Sequence, residues 1–349
     1  MKKILVTGGA GYIGSELVQQ LIERGHEPLI VDLCLFGEEP LKKVKGKYKL
    51  IKEDIREPKK EWFKEIETVC HLAGFSNDPM AAFNPEANME INHRGTIQLA
   101  KLAKEAGVKK FIFASSGSVY DRGMTEDHEN LQDENSEINL NPEYYYSISK
   151  IKAERDLKEL ADQNFKVYIL RQGTVFGWSE RMRFDLVVNT MLKTAICEKK
   201  LKVFHGGIMW RPLIDVSDVA KAYIMIASRQ KEDKHFNIYN LVQDNYRILD
   251  LAHLIKKELK KEDIDVEVEV LYSKDPQRSY KISGSKIARE QGFLPTRDVG
   301  TALRKMIKEI KERKIDNVVQ LNDKYYYNIQ WLEHLTHMKQ ILENVKKIL

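Results

Sequence analysis

The chain has 349 residues, enough for one large domain or two of modest size, and its 42% hydrophobic content suffices for a proper core. No run approaches the ~20 apolar residues that span a bilayer, and Met1-Lys2-Lys3 leads straight into a strand rather than a secretory stretch, so a cytoplasmic chain without membrane attachment is expected. A net charge of +5 sets 57 basic against 52 acidic residues, the lysines scattered in solvated runs such as Lys256-Lys257-Glu258-Leu259-Lys260-Lys261, which argues against nucleic-acid binding and leaves phosphate-bearing small substrates open.

Lys3-Ile4-Leu5-Val6-Thr7 reads as a short buried strand that runs into Gly8-Gly9-Ala10-Gly11-Tyr12-Ile13-Gly14. A helix follows, with Leu17, Val18, Leu21 and Ile22 at helical spacing and a glycine stop at Gly25. Strand, glycine loop and helix in this order are the context a pyrophosphate-binding turn requires: Gly8 permits the tight turn, Gly11 lets the backbone approach and Gly14 lets helix and strand pack. The next strand, Pro28-Leu29-Ile30-Val31, ends on Asp32. An acid there accepts from an unphosphorylated ribose and repels the extra phosphate of NADP, and no arginine follows closely, so the expected cofactor is NAD.

Further strands are expected at 48–51, leading to Glu53-Asp54-Ile55, at 68–74, at 110–116 and at 166–171. Helices separate them, notably Asn92 to Ala106, closed by Gly107, and Tyr146 to Ala161. The alternation predicts an α/β fold built on a doubly wound, Rossmann-type parallel sheet, over residues 1–172, with ligands at the carboxyl ends of its strands. Ser116 stands at such an end. Tyr146-Ser147-Ile148-Ser149-Lys150 follows about thirty residues later; Tyr-x-x-x-Lys places phenol and ammonium one helical turn apart, where the ammonium is expected to lower the phenol pKa and make Tyr146 a general base.

Beyond residue 172 the pattern loosens. Arg183 to Asn189 reads as the start of a helix, Trp210 to Val216 as a short strand and turn, and 236–240 as another core strand, so 213–246 is expected to return to the sheet. Residues 173–212 and 247–312, with an edge strand at 266–271, form an expected smaller, discontinuous substrate lobe, and 313–349 a C-terminal helical extension with a packing or dimer-contact role. Cys34, Cys70 and Cys197 lack metal-ligand spacing and read as reduced structural thiols, and no metal is expected.

Thr7 to Gly14, Asp54-Ile55-Arg56, His71-Leu72-Ala73-Gly74, Asn92 ahead of Gly95-Thr96, Ser115 to Tyr120, Tyr146 to Lys150, and Leu170-Arg171 through Val175-Phe176-Gly177 occur in the order of one family. Over about residues 1–310 the chain resembles the extended short-chain dehydrogenase/reductases, in particular their nucleotide-sugar epimerase and dehydratase branch. The resemblance implies Tyr146 as catalytic base, Lys150 tuning it and holding the nicotinamide ribose, and Ser116 on the sugar hydroxyl. It implies that Asp54 and Ile55 hold the adenine, that Leu72, Ala73, Gly74 and Ser115 line the cofactor, that Asn92 fixes the structure nearby, and that Thr174, Arg183, Arg211 and Arg278 face a nucleoside diphosphate sugar. Relatives usually pair as homodimers through the helices after Asn92 and Tyr146.

Departures from the pattern matter as well. Dehydrating members usually follow the hydroxyl residue with Asp-Glu, and this chain has Gly117 and Ser118; members that both epimerise and reduce tend to carry a cysteine there; the usual Tyr-Gly is Tyr120-Asp121. The implied reaction is therefore epimerisation of a nucleotide sugar, with oxidation at C4 and return of the hydride, and the alternative is a net dehydrogenase or 4-ketoreductase. A 4,6-dehydratase or a non-catalytic NAD-binding protein is less favoured.

Overall fold

The computed structural model describes residues 3–121, 129–138, 140–229, 234–272, 278–315 and 318–348. Its centre is a seven-stranded parallel sheet: β1 Ile4–Thr7, β2 Leu29–Val31, β3 Lys49–Ile51, β4 Thr68–His71, β5 Lys110–Ser116, β6 Lys166–Gln172 and β7 Phe236–Leu241. The spatial order is β7-β6-β5-β4-β1-β2-β3. The chain lays down β1, β2 and β3 in one direction and then crosses back to place β4 on the other side of β1. That reversal opens a crevice at the carboxyl ends of β1 and β4, where ligands bind in such sheets.

Short apolar runs form these strands because both faces of the sheet are covered. Side chains alternate between two cores: Ile4, Val6 and Ile112 point to one, Leu5, Phe111 and Phe113 to the other. Helix α1, Tyr12–Glu23, packs on the first face beside the helix Val216–Ser228. Helix α2, Thr96–Glu105, and helix α3, Tyr145–Leu160, bury Leu99, Ala103, Ala153 and Leu157 on the second.

The expected helix from Asn92 begins instead as a π-helical turn, Glu90–Gly95, that continues into α2. The expected helix near Arg183 starts later, as α4 Val187–Glu198, because Arg183 and Asp185 pair with each other and the Asn189 side chain donates to the Arg183 carbonyl (2.9 Å). Outside the main sheet, Thr174–Phe176, Trp210–Asp215 and Asp244–Arg247 form a three-stranded sheet. Lys200–Val203 pairs in parallel with Glu267–Val270. The chain closes with the amphipathic helix Val299–Glu312 and helix α5, Asn328–Ile348.

Candidate active site

A cavity of about 370 Å³ lies at the carboxyl ends of β1, β4 and β5. Its first wall is the glycine turn. Gly8 has φ +72°, and a Cβ there would stand 2.7 Å from the Ala73 amide nitrogen; a Cβ on Gly14 would stand 2.0 Å from the Gly8 carbonyl oxygen. Only glycine lets turn, helix and the 72–74 loop close this tightly. The N-terminus of α1 has no side-chain cap and no acid in its first turn. The first-turn residues line the cavity, and an uncapped helix N-terminus of this kind suits an anion.

Asp32 lines the same wall and accepts from the Ala10 amide (2.9 Å) and the Cys34 amide (2.7 Å). Burial pushes its carboxyl pKa up. Ile55 and Asp54 also line the cavity; Asp54 is held bidentately by Arg56. The turn, the uncapped helix end and the acid after β2 together fit a dinucleotide: amides for a diphosphate, a carboxylate for ribose hydroxyls, and apolar surface for a base.

The facing wall carries the proton-transfer residues. Tyr146 and Lys150 project from the first turns of α3, and Ser116 ends β5, so the fold brings together the three residues that spacing singled out. Ser116 lies close enough to the Tyr146 phenol to weigh on its pKa, in the lowering direction. Lys150 Nζ donates to the Ala114 carbonyl (2.8 Å) and lies 5.7 Å from the centre of the Tyr146 ring. Burial lowers the lysine to about 7. The expected lowering of the phenol does not occur in the ligand-free chain: burial, helped by the Asp78 charge, raises Tyr146 to about 12. Lys150, itself buried and lowered, is not among the groups that offset that burial.

Asn92 stands in the π-helical turn with its side chain turned inward. Its Oδ1 accepts from the Phe75 amide (2.8 Å) while Nδ2 donates to the Phe75 carbonyl (3.0 Å) and to Asn88 Oδ1 (2.9 Å). This fixes the loop after Leu72, Ala73 and Gly74 along the cavity. Ser115 donates to Glu154, which forms a buried pair with Arg171 (2.6 Å). Ser118 meets Ser147 (2.9 Å), and Gly117 and Ser118 bring no carboxyl to the place after Ser116.

The four expected substrate residues behave differently from one another. Thr174, Arg183 and Arg278 line the cavity. Arg183 is bidentate with Asp185 (2.8 and 2.9 Å) and donates to Ser76 Oγ (3.1 Å). Arg278 pairs with Asp78 (2.6 Å) and Asp121 (2.8 Å), so the departure at Tyr120-Asp121 acts on this arginine. Asp275, Pro276 and Gln277 ahead of it lie outside the described residues. Arg211 stands behind the cavity wall, donating to the carbonyls of Trp210 (2.8 Å) and Arg278.

Several contacts that close the site, and two of its lining residues, were not legible in the sequence. His71 spans Thr7 Oγ1 (2.6 Å) and Thr96 Oγ1 (2.8 Å), tying β4 to β1 and α2. The Tyr12 hydroxyl donates to the Gly177 carbonyl (2.6 Å) and binds α1 to the far wall. Arg181 and Asn328 also line the cavity. None of these contacts has a local spacing signal; the partners are far apart in sequence. The three cysteines are free, and among the described residues no cluster of His, Cys, Asp or Glu suits a metal.

Comparison with known proteins agrees with the geometry. A family model described as the NAD dependent epimerase/dehydratase family matches residues 4–241. The UDP-glucose 4-epimerase of Haemophilus influenzae is 32% identical over 285 residues, covering 73% of this chain and 82% of its own. UDP-glucuronic acid decarboxylase 1 of Danio rerio is 29% identical over 262 residues; these are 73% of this chain but 60% of the relative. Among solved structures, MoeE5 in complex with UDP-glucose and NAD shares the fold, with a TM-score of 0.75 and 23% identity over 89% of this chain and 99% of that one.

Proposed function

This chain belongs to the NAD dependent epimerase/dehydratase family, and on that premise we propose that it is an NAD-dependent epimerase of a nucleoside diphosphate sugar. One observation carries the reading: Tyr146, Ser116 and Lys150 face the glycine turn and Asp32 across a single cavity.

NAD, when bound, would supply a reversible acceptor for a hydrogen with its electron pair and would add positive charge to the cavity. The residues do the rest. Amides at the start of α1 hold the diphosphate, Asp32 the adenosine ribose, Asp54 and Ile55 the adenine, and Lys150 the second ribose. Ser116 Oγ and Tyr146 Oη converge on one sugar hydroxyl, at C4 in this reading. With the added positive charge offsetting burial, Tyr146 takes the hydroxyl proton as the C4 hydrogen departs, leaving a bound ketone. The sugar turns about its diphosphate, and Tyr146 returns the proton to the oxygen when the hydrogen comes back on the other face. Thr174, Arg183 and Arg278 line the sugar-nucleotide side, and Arg211 supports Arg278 from behind through its carbonyl.

Gly117 and Ser118 supply no acid for eliminating water, which favours epimerisation over dehydration. The test is to incubate the purified protein with UDP-sugars, including UDP-glucuronic acid, and follow product stereochemistry, NADH absorbance and CO2. Epimer formation without net NADH supports the proposal. Stoichiometric NADH, or CO2 release as the decarboxylase relative's name suggests, overturns it.

A cytoplasmic homodimer is part of the proposal. The outward residues of α3 and α2 include Lys152, Arg155, Asp156, Glu159 and Lys101. A pair formed through such charged faces is salt-sensitive, so sedimentation at low and high salt tests the dimer and cell fractionation tests the compartment.

A further inference from the structure

Three arginines line the cavity: Arg181, Arg183 and Arg278. Two are neutralised, Arg183 by Asp185 and Arg278 by Asp78 and Asp121. Arg181 is 1% exposed and has no carboxylate within ion-pair distance among the described residues. Its guanidinium donates from Nη1 to the Met182 carbonyl (2.9 Å) and from Nη2 to Asn328 Oδ1 (2.7 Å). The rest of its fork has no acceptor among the described residues. A buried cation left unpaired is costly, and such a group persists where a ligand supplies the missing charge.

Where Arg181 sits narrows the ligand. Two residues earlier, Ser179 donates to the Tyr12 carbonyl (2.6 Å) and meets Ser15 Oγ (2.8 Å), which pins this loop to the first turn of α1. On its other side the guanidinium lies 3.7 Å from the centre of the Phe36 ring, four residues after Asp32. It thus stands between the uncapped helix end and the ribose-binding acid. The C-terminal extension holds it there. Asn328, besides accepting from Arg181, donates to Ser76 Oγ (2.9 Å). Tyr325 donates to the Phe36 carbonyl (2.9 Å), and Trp331 Nε1 to the Leu35 carbonyl (2.6 Å).

We propose that Arg181, seated by the C-terminal segment 325–331 acting as a strap, is a diphosphate-binding residue of the dinucleotide half of the cavity. A planar fork with free donors makes bidentate, charge-assisted bonds to phosphate oxygens, and stacking on Phe36 holds its plane. The shared chemistry is a diphosphate, and position assigns it to the dinucleotide rather than the nucleotide sugar. The proposal rests on the reading of this cavity as the NAD pocket.

The experiment is calorimetric titration of the ligand-free full chain and its Arg181→Met variant with NAD, ADP, adenosine and UDP, together with thermal melting of each ligand-free protein. The expected result is ADP and NAD binding about ten- to a hundredfold weaker in the variant, adenosine unchanged, and a melting temperature equal to or above the native one, since an unpaired buried cation is gone. Arg181→Lys, which keeps the charge without the fork, should fall between. Equal ADP affinity in native and Met proteins overturns the proposal alone. So does weakening confined to UDP, or a lowered melting temperature with adenosine and ADP weakened alike. A native chain that takes up neither NAD nor ADP overturns the NAD-pocket reading and this proposal with it.

Discussion

At the scale of single residues, the site sets groups whose burial opposes their charged forms. Burial raises Tyr146 to about 12 and lowers Lys150 to about 7, so burial disfavours the charged form of each. Tyr146→Phe isolates the proton transfer. We expect that variant to lose about 10²–10⁴ in turnover while binding NAD normally, checked by single-turnover assay and NAD titration; near-native turnover would reject the tyrosine's role. His71 provides a stability counterpart. Burial, with the Lys150 charge adding to it, pushes its pKa down to about 3 from an ordinary 6.5. Between those values the unfolded chain takes up a proton that the fold refuses, so stability present above pH 6.5 is lost as pH falls toward 3. Asp215, raised by burial from 3.8 to about 6, works the other way over its own window, its contribution being lost as pH rises. Comparison with His71→Gln separates the two: melting followed from pH 7 to 4 should fall more steeply in the native chain than in the variant.

Elements show why some positions admit one residue only. A Cβ on Gly14 would stand 2.0 Å from the Gly8 carbonyl oxygen, so Gly14→Ala must move backbone at the turn itself; at Gly25, with φ +78°, a Cβ meets nothing within 4 Å. The first substitution should cost about 1–3 kcal/mol by overpacking and remove NAD affinity. The second should cost about 1–2 kcal/mol by backbone strain and leave affinity intact. Chemical denaturation and NAD titration of both check this, and equal NAD affinity in the two would refute the turn's assignment. What the sequence made legible divides along the same line. Short, largely apolar runs marked the seven strands, since a sheet covered on both faces favours that composition. Tyr146-x-x-x-Lys150 and the glycine turn were legible because their meaning lies within one helical turn or one loop. The π-helical turn around Asn92 was not: its wider winding follows from Asn92 reaching across to Phe75 and Asn88. The delayed start of α4 depends likewise on side chains pairing outside the helix.

Over the whole molecule, contacts with the largest sequence separation decide how the cavity is enclosed. Phe36 and Tyr325 meet edge to face at 6.3 Å, and Tyr325 packs against Trp331 at 5.7 Å, joining the loop after β2 to a segment almost 300 residues later. Nothing in the tail's helical periodicity pointed to the residues it would cover; only the fold puts Leu35 and Phe36 within its reach. The strap has few buried apolar groups of its own, so its detachment should cost far less than unfolding the sheet. Trp331→Ala removes the ring contacts with Tyr325 and His334 and the hydrogen bond to the Leu35 carbonyl, and we expect trypsin to cut faster at Arg313, Lys314 and Lys324 while the main unfolding transition shifts by no more than about 2 kcal/mol. Limited proteolysis read by mass spectrometry, alongside denaturation, distinguishes the cases. Unchanged cleavage would mean the tail is held independently of the loop after β2. Cleavage that speeds up together with collapse of the whole transition would mean that strap and sheet form one cooperative unit.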